Sequence, residues 1–203
     1  MIRDAGVVAG NVYDKYNTKN PVARALMRGF MSTVERFALC SDRAEVLEVG
    51  CGEGHLLELL SRRAPMGSCL GVDLSPAVIA QASAAHPSLR FDVASVYELP
   101  FEDRSFSLVI ACEVLEHLED PEAALVELAR VARRDLILTV PREPLWRALN
   151  LARGRYLGDL GNTPGHVQHF SRRDIVRLVE RHFRVREVAS PTPWTAIRAS
   201  ALR

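Results

Sequence analysis

From Val46 to Leu57 the chain reads Val-Leu-Glu-Val-Gly-Cys-Gly-Glu-Gly-His-Leu-Leu: an apolar run holding one acid, three glycines at alternate positions, then a helical pattern. Gly50, Gly52 and Gly54 lack the Cβ that would hinder a sharp turn, so a ligand can lie against bare backbone. Glu48 stands two residues before the first glycine. A second carboxylate, Asp73, ends the apolar segment that starts at Cys69, and its two oxygens suit the paired hydroxyls of a ribose. Imidazoles able to move a proton near neutral pH stand at His117, His166 and His169.

The elements that must position these groups are legible in the hydrophobic pattern. Ala44–Val49, Cys69–Asp73, Leu89–Ala94, Phe106–Ala111 and Asp135–Val140 have strand character. Helical patterns over Gly54–Ala64, Pro76–Ala85 and Pro121–Ala132 fall between them, the second opened by Ser75 as an N-cap. Such alternation predicts a parallel sheet with helices on both faces. Asp174–His182 is an amphipathic helix entered through Ser171, and strands at Phe183–Ala189 and Trp194–Leu202 flank the turn Ser190-Pro191-Thr192-Pro193. A connection that short joins antiparallel strands. Residues 11 to 39 carry helical periodicity, and residues 142 to 170 carry little, which marks them as a functional loop or a partly helical one.

The glycine spacing separates two kinds of nucleotide binder. A dinucleotide fingerprint is Gly-x-Gly-x-x-Gly; here the third glycine comes one residue early, giving Glu-x-Gly-x-Gly-x-Gly. That loop resembles motif I of the class I S-adenosylmethionine-dependent methyltransferases. Leu99-Pro100-Phe101 and Leu115-Glu116-His117 are similar to segments of the type 11 group within that class. These three features and Asp73 occur in order over roughly residues 44 to 140.

The resemblance implies an α/β fold with a doubly wound, mostly parallel, Rossmann-like sheet of seven strands, closed by the C-terminal hairpin and preceded by helices. It implies S-adenosylmethionine as cofactor. Gly50, Cys51, Gly52 and Gly54 would pass beneath its methionine and ribose portions, and Glu48 would reach toward the ammonium. Asp73 would hold the ribose, Leu74 would touch the adenine, and Cys112 and Glu113 would flank the methionine end. The family usually has an acid where this chain has Ser95, so Ser95 and Val96 would meet the adenine chiefly through backbone groups. Ser107 also replaces a common aspartate, at a position that serves the fold more often than the ligand. Tyr16, ahead of the N-terminal helices, would reach the methionine carboxylate.

His117 reads either as a packing residue near the pocket or as a catalytic one. His166 and His169 lie in the turn-rich stretch Gly161–Phe170, which leaves capping, an acceptor-site role and metal ligation open. No third ligand at zinc-like spacing accompanies them, and no metal is assigned. Ten arginines stand against four acids between residues 142 and 186; Arg142, Arg147, Arg153 and Arg155 lie where a lid would close, which suits an anionic acceptor. Trp146, Tyr156 and Trp194 are packing anchors or stacking surfaces for the acceptor.

At 203 residues and net charge +1, one domain is expected, and a general nucleic-acid or membrane footprint is not. Its parts would be an N-terminal cap (1–43), a cofactor core (44–140), an acceptor lid (141–173) and a C-terminal helix and hairpin (174–203). Cys40, Cys51, Cys69 and Cys112 form no Cys-x-x-Cys pair and read as reduced thiols of a cytoplasmic protein, with no apparent signal peptide or membrane span. The expected activity is methyl transfer to a small molecule, at oxygen. The alternatives are an RNA or protein methyltransferase and a non-catalytic cofactor-binding module.

Overall fold

The computed structural model describes residues 19 to 202. Seven strands form one sheet: β1 (Glu45–Val49), β2 (Ser68–Asp73), β3 (Arg90–Val93), β4 (Phe106–Cys112), β5 (Ala132–Pro141), β6 (Phe183–Ala189) and β7 (Trp194–Ala201). Their order is β3-β2-β1-β4-β5-β7-β6. β3, β2, β1, β4 and β5 are mutually parallel, and β7 runs antiparallel to both β5 and β6. From β1 the chain winds outward to β2 and β3, then returns to lay β4 on the other side of β1. That reversal opens a crevice beyond the carboxyl ends of β1 and β4, where open α/β sheets bind ligands.

Six α-helices cover the sheet: α1 (Pro21–Leu39), α2 (His55–Arg63), α3 (Pro76–Ala85), α4 (Pro121–Val131), α5 (Leu145–Ala152) and α6 (Arg172–Glu180). Successive strand residues face opposite sides, so each inner strand feeds two cores. Val46, Leu108, Ile110 and Ile137 pack with Phe30, Val34, Phe37, Leu57 and Leu60 of α1 and α2. Leu47, Val109, Leu136 and Leu138 pack with Leu125, Leu128, Ile175 and Val179 of α4 and α6. Among the described residues no helix is long and apolar enough to cross a membrane.

The caps expected from the sequence are formed. Ser75 accepts the N–H of Val78, and Ser171 accepts that of Asp174. Ser107 serves the fold: its buried hydroxyl donates to the Glu45 carbonyl and accepts the Glu45 N–H, each at 2.9 Å. The segment after β5 is partly helical. α5 occupies Leu145–Ala152, and a 3-10 turn follows at Leu157–Asp159. The helical reading of residues 11 to 39 applies from Pro21 onward as the single helix α1; Tyr13 and Tyr16 lie outside the described residues.

Candidate active site

The glycine loop leaves β1 and is tied at once to the strand beside it. Gly50 and Cys51 both donate their N–H to the Val72 carbonyl, at 2.8 and 3.0 Å. Gly50, Gly52 and Gly54 have φ of +71°, +53° and +79°, a region in which a side chain costs about 1–2 kcal/mol. A Cβ at Gly50 would also stand 2.5 Å from Val114 Cγ2. Gly54 occupies the N-cap of α2 without any side-chain cap, so the helix opens toward the loop with backbone N–H groups.

Asp73 closes the other wall. One carboxylate oxygen accepts the Gly52 N–H at 3.0 Å, and the other accepts the Ser75 N–H at 3.1 Å. Its side chain is thus aimed across the loop by backbone at both ends, and it is 8% exposed. Each oxygen keeps further acceptor capacity. Glu48 is buried at the end of β1. Burial, then the neighbouring Glu48 and Asp73 carboxylates, push the Cys51 thiol far above its ordinary range, so Cys51 is a neutral, apolar part of the floor.

Leu74 and Val96 lie at half-buried positions beyond β2 and β3. The Ser95 hydroxyl accepts the Tyr97 N–H at 3.1 Å, and its carbonyl accepts the Glu98 N–H. Its oxygen therefore shapes a tight turn. Asp92, the nearby acid, is turned into its own strand, accepting the Val93 N–H. The Leu99-Pro100-Phe101 segment is clamped from α4: Arg130 donates to the Leu99 and Phe101 carbonyls, and Glu127 accepts the Leu99 N–H while bracing Arg130 through both oxygens.

Past β4 the chain turns toward the segment that follows β5. Cys112 ends the strand, and Glu113 takes φ of +61°, a conformation that non-glycine residues adopt only under constraint. Its carboxylate accepts the Trp194 indole N–H at 2.7 Å and the Thr139 hydroxyl at 3.4 Å. Glu113 therefore joins β4 to β5 and β7. The indole of Trp194 packs against Phe30 and Trp146, and Trp146 stacks on His166 with centroids 6.0 Å apart.

A 3-10 turn at Leu115–His117 receives the segment after α5. The Glu116 carbonyl accepts the N–H groups of Val167 and Gln168, at 2.9 and 3.0 Å, and His117 Nδ1 lies 2.9 Å from the Gly165 carbonyl. That docking sets the His117 and His166 rings edge to face at 4.9 Å. One ligating atom each from Glu116, His117 and His166 lies within 4.8 Å of the other two. His169 takes no part: it is exposed, and its Nε2 lies 2.9 Å from Asn162 Oδ1.

Two polar residues that periodicity did not mark hold this segment in shape. Asn150, buried within α5, donates to the Gly161 carbonyl at 2.9 Å and to Thr163 Oγ1 at 3.2 Å. Thr163 also accepts the Trp146 indole N–H at 2.9 Å. Arg147 donates to the Leu160 carbonyl and Arg153 to Asn150 Oδ1, so two of the four arginines expected at a lid are bonded within the segment itself. No local pattern announces such residues, because their partners lie a turn and a loop away.

The family of methyltransferase domains matches residues 47–140, the stretch from the heart of β1 to the end of β5. Over this stretch, a little under half of its length, the chain is similar to these methyltransferase domains. The cofactor of these methyltransferases is S-adenosylmethionine. An uncharacterized methyltransferase of Schizosaccharomyces pombe is 37% identical over 99 residues, covering 43% of this chain and 36% of that protein. A trans-aconitate 2-methyltransferase of Enterobacter is 35% identical over 105 residues, covering 52% and 41%. The chain thus spans about two fifths of the length of these relatives. Among solved structures, the magnesium protoporphyrin IX methyltransferase of Synechocystis, with bound S-adenosylhomocysteine, superposes with a TM-score of 0.69 at 20% identity, covering 92% of this chain and 90% of that one. At that identity the likeness is one of fold.

Proposed function

We propose that this protein transfers the methyl group of S-adenosylmethionine to an oxygen of a small, anionic acceptor. The observation that carries the reading is the placement of two distinct walls around one sheet end. Glycine backbone and Asp73 stand over β1 and β2, and the Glu113, Trp146, His117 and His166 side chains stand beyond β4 and β5.

The first wall fits the cofactor on its own geometry, since left-handed glycine backbone opens the loop and the Asp73 oxygens retain lone pairs for ribose hydroxyls. When bound, S-adenosylmethionine supplies an electrophilic methyl group on a sulfonium sulfur. Gly50, Cys51, Gly52 and Gly54 would lie beneath it, Glu48 would face its ammonium, and Tyr16 would face its carboxylate. Leu74, Ser95 and Val96 would border the adenine, with Cys112 and Glu113 at the methionine end.

The second wall orients the acceptor and excludes water, which supplies most of what an in-line displacement needs. A carboxylate acceptor is already ionised at neutral pH. A hydroxyl acceptor would give its proton to the His117–His166 pair, the imidazoles the fold brings together. The arginine-rich segment after β5 supports an anion, and the Enterobacter relative is named for a small polycarboxylate. Residues 141–173 then act as the acceptor lid of one methyltransferase domain whose locale is the cytoplasm.

The test is a labelled-methyl assay of the full chain against hydroxy acids, polycarboxylates, amines, RNA and protein. Label transferred to an oxygen of a small acid, in an ester- or ether-stable product identified by mass spectrometry, supports the reading. Label appearing only on amines, RNA or protein overturns it.

A further inference from the structure

We propose that Glu116, His117 and His166 form a binding site for one divalent transition-metal ion of the zinc type. Two imidazoles and one carboxylate are a ligand set that suits zinc, cobalt or nickel and disfavours magnesium and calcium, which take oxygen. The three ligating atoms already lie within 4.8 Å of one another. A tetrahedral ion with bonds of about 2.0–2.1 Å needs separations of about 3.3 Å, so atoms up to 4.8 Å apart would close by at most about 1.5 Å when it binds.

Three further features mark a built site. Glu116 is 1% exposed and His166 is 8% exposed, so two of the three ligands are shielded from competing water, and His117 is half-buried. His117 Nδ1 lies 2.9 Å from the Gly165 carbonyl; a carbonyl only accepts, so Nδ1 carries the proton and Nε2 offers the lone pair. A backbone carbonyl that fixes the tautomer of a ligating imidazole is the usual support around a metal. Finally, the two halves are locked together by main-chain bonds, because the Glu116 carbonyl holds both Val167 and Gln168. His166 is thereby held against its partners by backbone rather than by its own rotamer alone.

Three protein ligands leave a tetrahedral ion one open position, the pattern of sites that act on a bound molecule. An acceptor carboxylate or hydroxyl oxygen would fill it. There the O–H bond of a coordinated hydroxyl would break with its proton passing to solvent on the half-buried His117 side; the oxygen would keep the electron pair and bond to the methyl carbon as the carbon–sulfur bond breaks, its pair going to sulfur and S-adenosylhomocysteine leaving. In that state the imidazoles serve as ligands and no side-chain base is required. This use of the site rests on the oxygen-acceptor reading; its affinity for metal does not.

The experiment is titration of the chelator-treated full chain with cobalt(II), read by visible absorption, and with zinc(II), read by calorimetry. One equivalent should bind, with the visible absorption of tetrahedral cobalt. His166→Gln and Glu116→Gln should each weaken binding by more than about 100-fold, beyond the loss typical of a supporting residue, while His169→Gln binds as the wild type does. S-adenosylhomocysteine affinity of each variant reports whether the domain is intact, and His117→Asn replaces any variant that fails this check. No stoichiometric uptake, or equal uptake by folded His166→Gln, overturns the metal site and leaves the methyl-transfer reading standing. Metal uptake by a protein that transfers no methyl to oxygen would overturn that reading and spare the site.

Discussion

Trp194, the first residue of β7, donates its indole N–H to the carboxylate of Glu113, the residue that follows β4, across 2.7 Å. β5 lies between those two strands in the sheet, and its Thr139 hydroxyl reaches the same carboxylate. The left-handed backbone at Glu113 is thus held by side-chain bonds from two strands. It is also the residue at which the chain leaves β4 for the 3-10 turn at Leu115–His117.

Trp194→Phe keeps an aromatic ring against Phe30 and Trp146 and removes only the donor. Hydrogen bonds to charged groups contribute about 1.5–3 kcal/mol, so the unfolding free energy from urea melts should fall by an amount in that range. A double-mutant cycle with Glu113→Gln should show a coupling of about 1 kcal/mol or more. Additive losses would show that the bond does not constrain the turn.

Asp73→Ala removes the carboxylate that accepts from Gly52 and Ser75. Calorimetry should show S-adenosylhomocysteine binding weakened at least tenfold, equivalent to about 1.4 kcal/mol, with circular dichroism unchanged. Asp73→Asn, which retains one acceptor oxygen, should fall between. Wild-type affinity in the alanine variant would remove Asp73 from the site.

Asn150→Ala leaves the Gly161 carbonyl without its side-chain donor. The cost expected for a broken buried amide bond is about 1–3 kcal/mol, concentrated in the segment after β5. Limited proteolysis should cut between Arg153 and Leu160 faster than in the wild type, while cofactor affinity stays the same. Uniform destabilisation without faster local cleavage would contradict this role.

The clamp on Leu99-Pro100-Phe101 titrates. Hydrogen bonding from Arg130, aided by the Leu99 N–H and the Arg130 charge, holds the Glu127 carboxyl below its ordinary 4.5 against the opposing effect of burial. A carboxyl depressed in the folded state contributes stability that is complete above the unfolded value and disappears as pH falls through the folded one. The stability difference between wild type and Glu127→Gln should therefore be constant near neutrality and shrink below about pH 4.5. Urea melts at several pH values measure it, and a difference that grows on acidification would refute the assignment.

The sequence alone determined the sheet and its cofactor end. Alternation of strand and helix, helix caps at Ser75 and Ser171, glycines before α2 and an aspartate closing β2 are local facts, because backbone hydrogen bonding and side-chain period act over a few neighbours. The parallel core and the C-terminal hairpin follow from connection length in the same way. Only the tertiary structure decided the contacts made by the segment after β5. His166 meets His117 and Glu116 across about 50 intervening residues, while its near neighbour His169 turns out to Asn162. Trp146 meets Trp194 by the same long closure, and Asn150 meets Gly161 through a loop of irregular backbone. The Ser95 hydroxyl accepts the N–H of Tyr97, a turn that hydrophobic period does not announce. These pairings are set by which carbonyl accepts which N–H when distant segments dock, and no period in the chain encodes that choice.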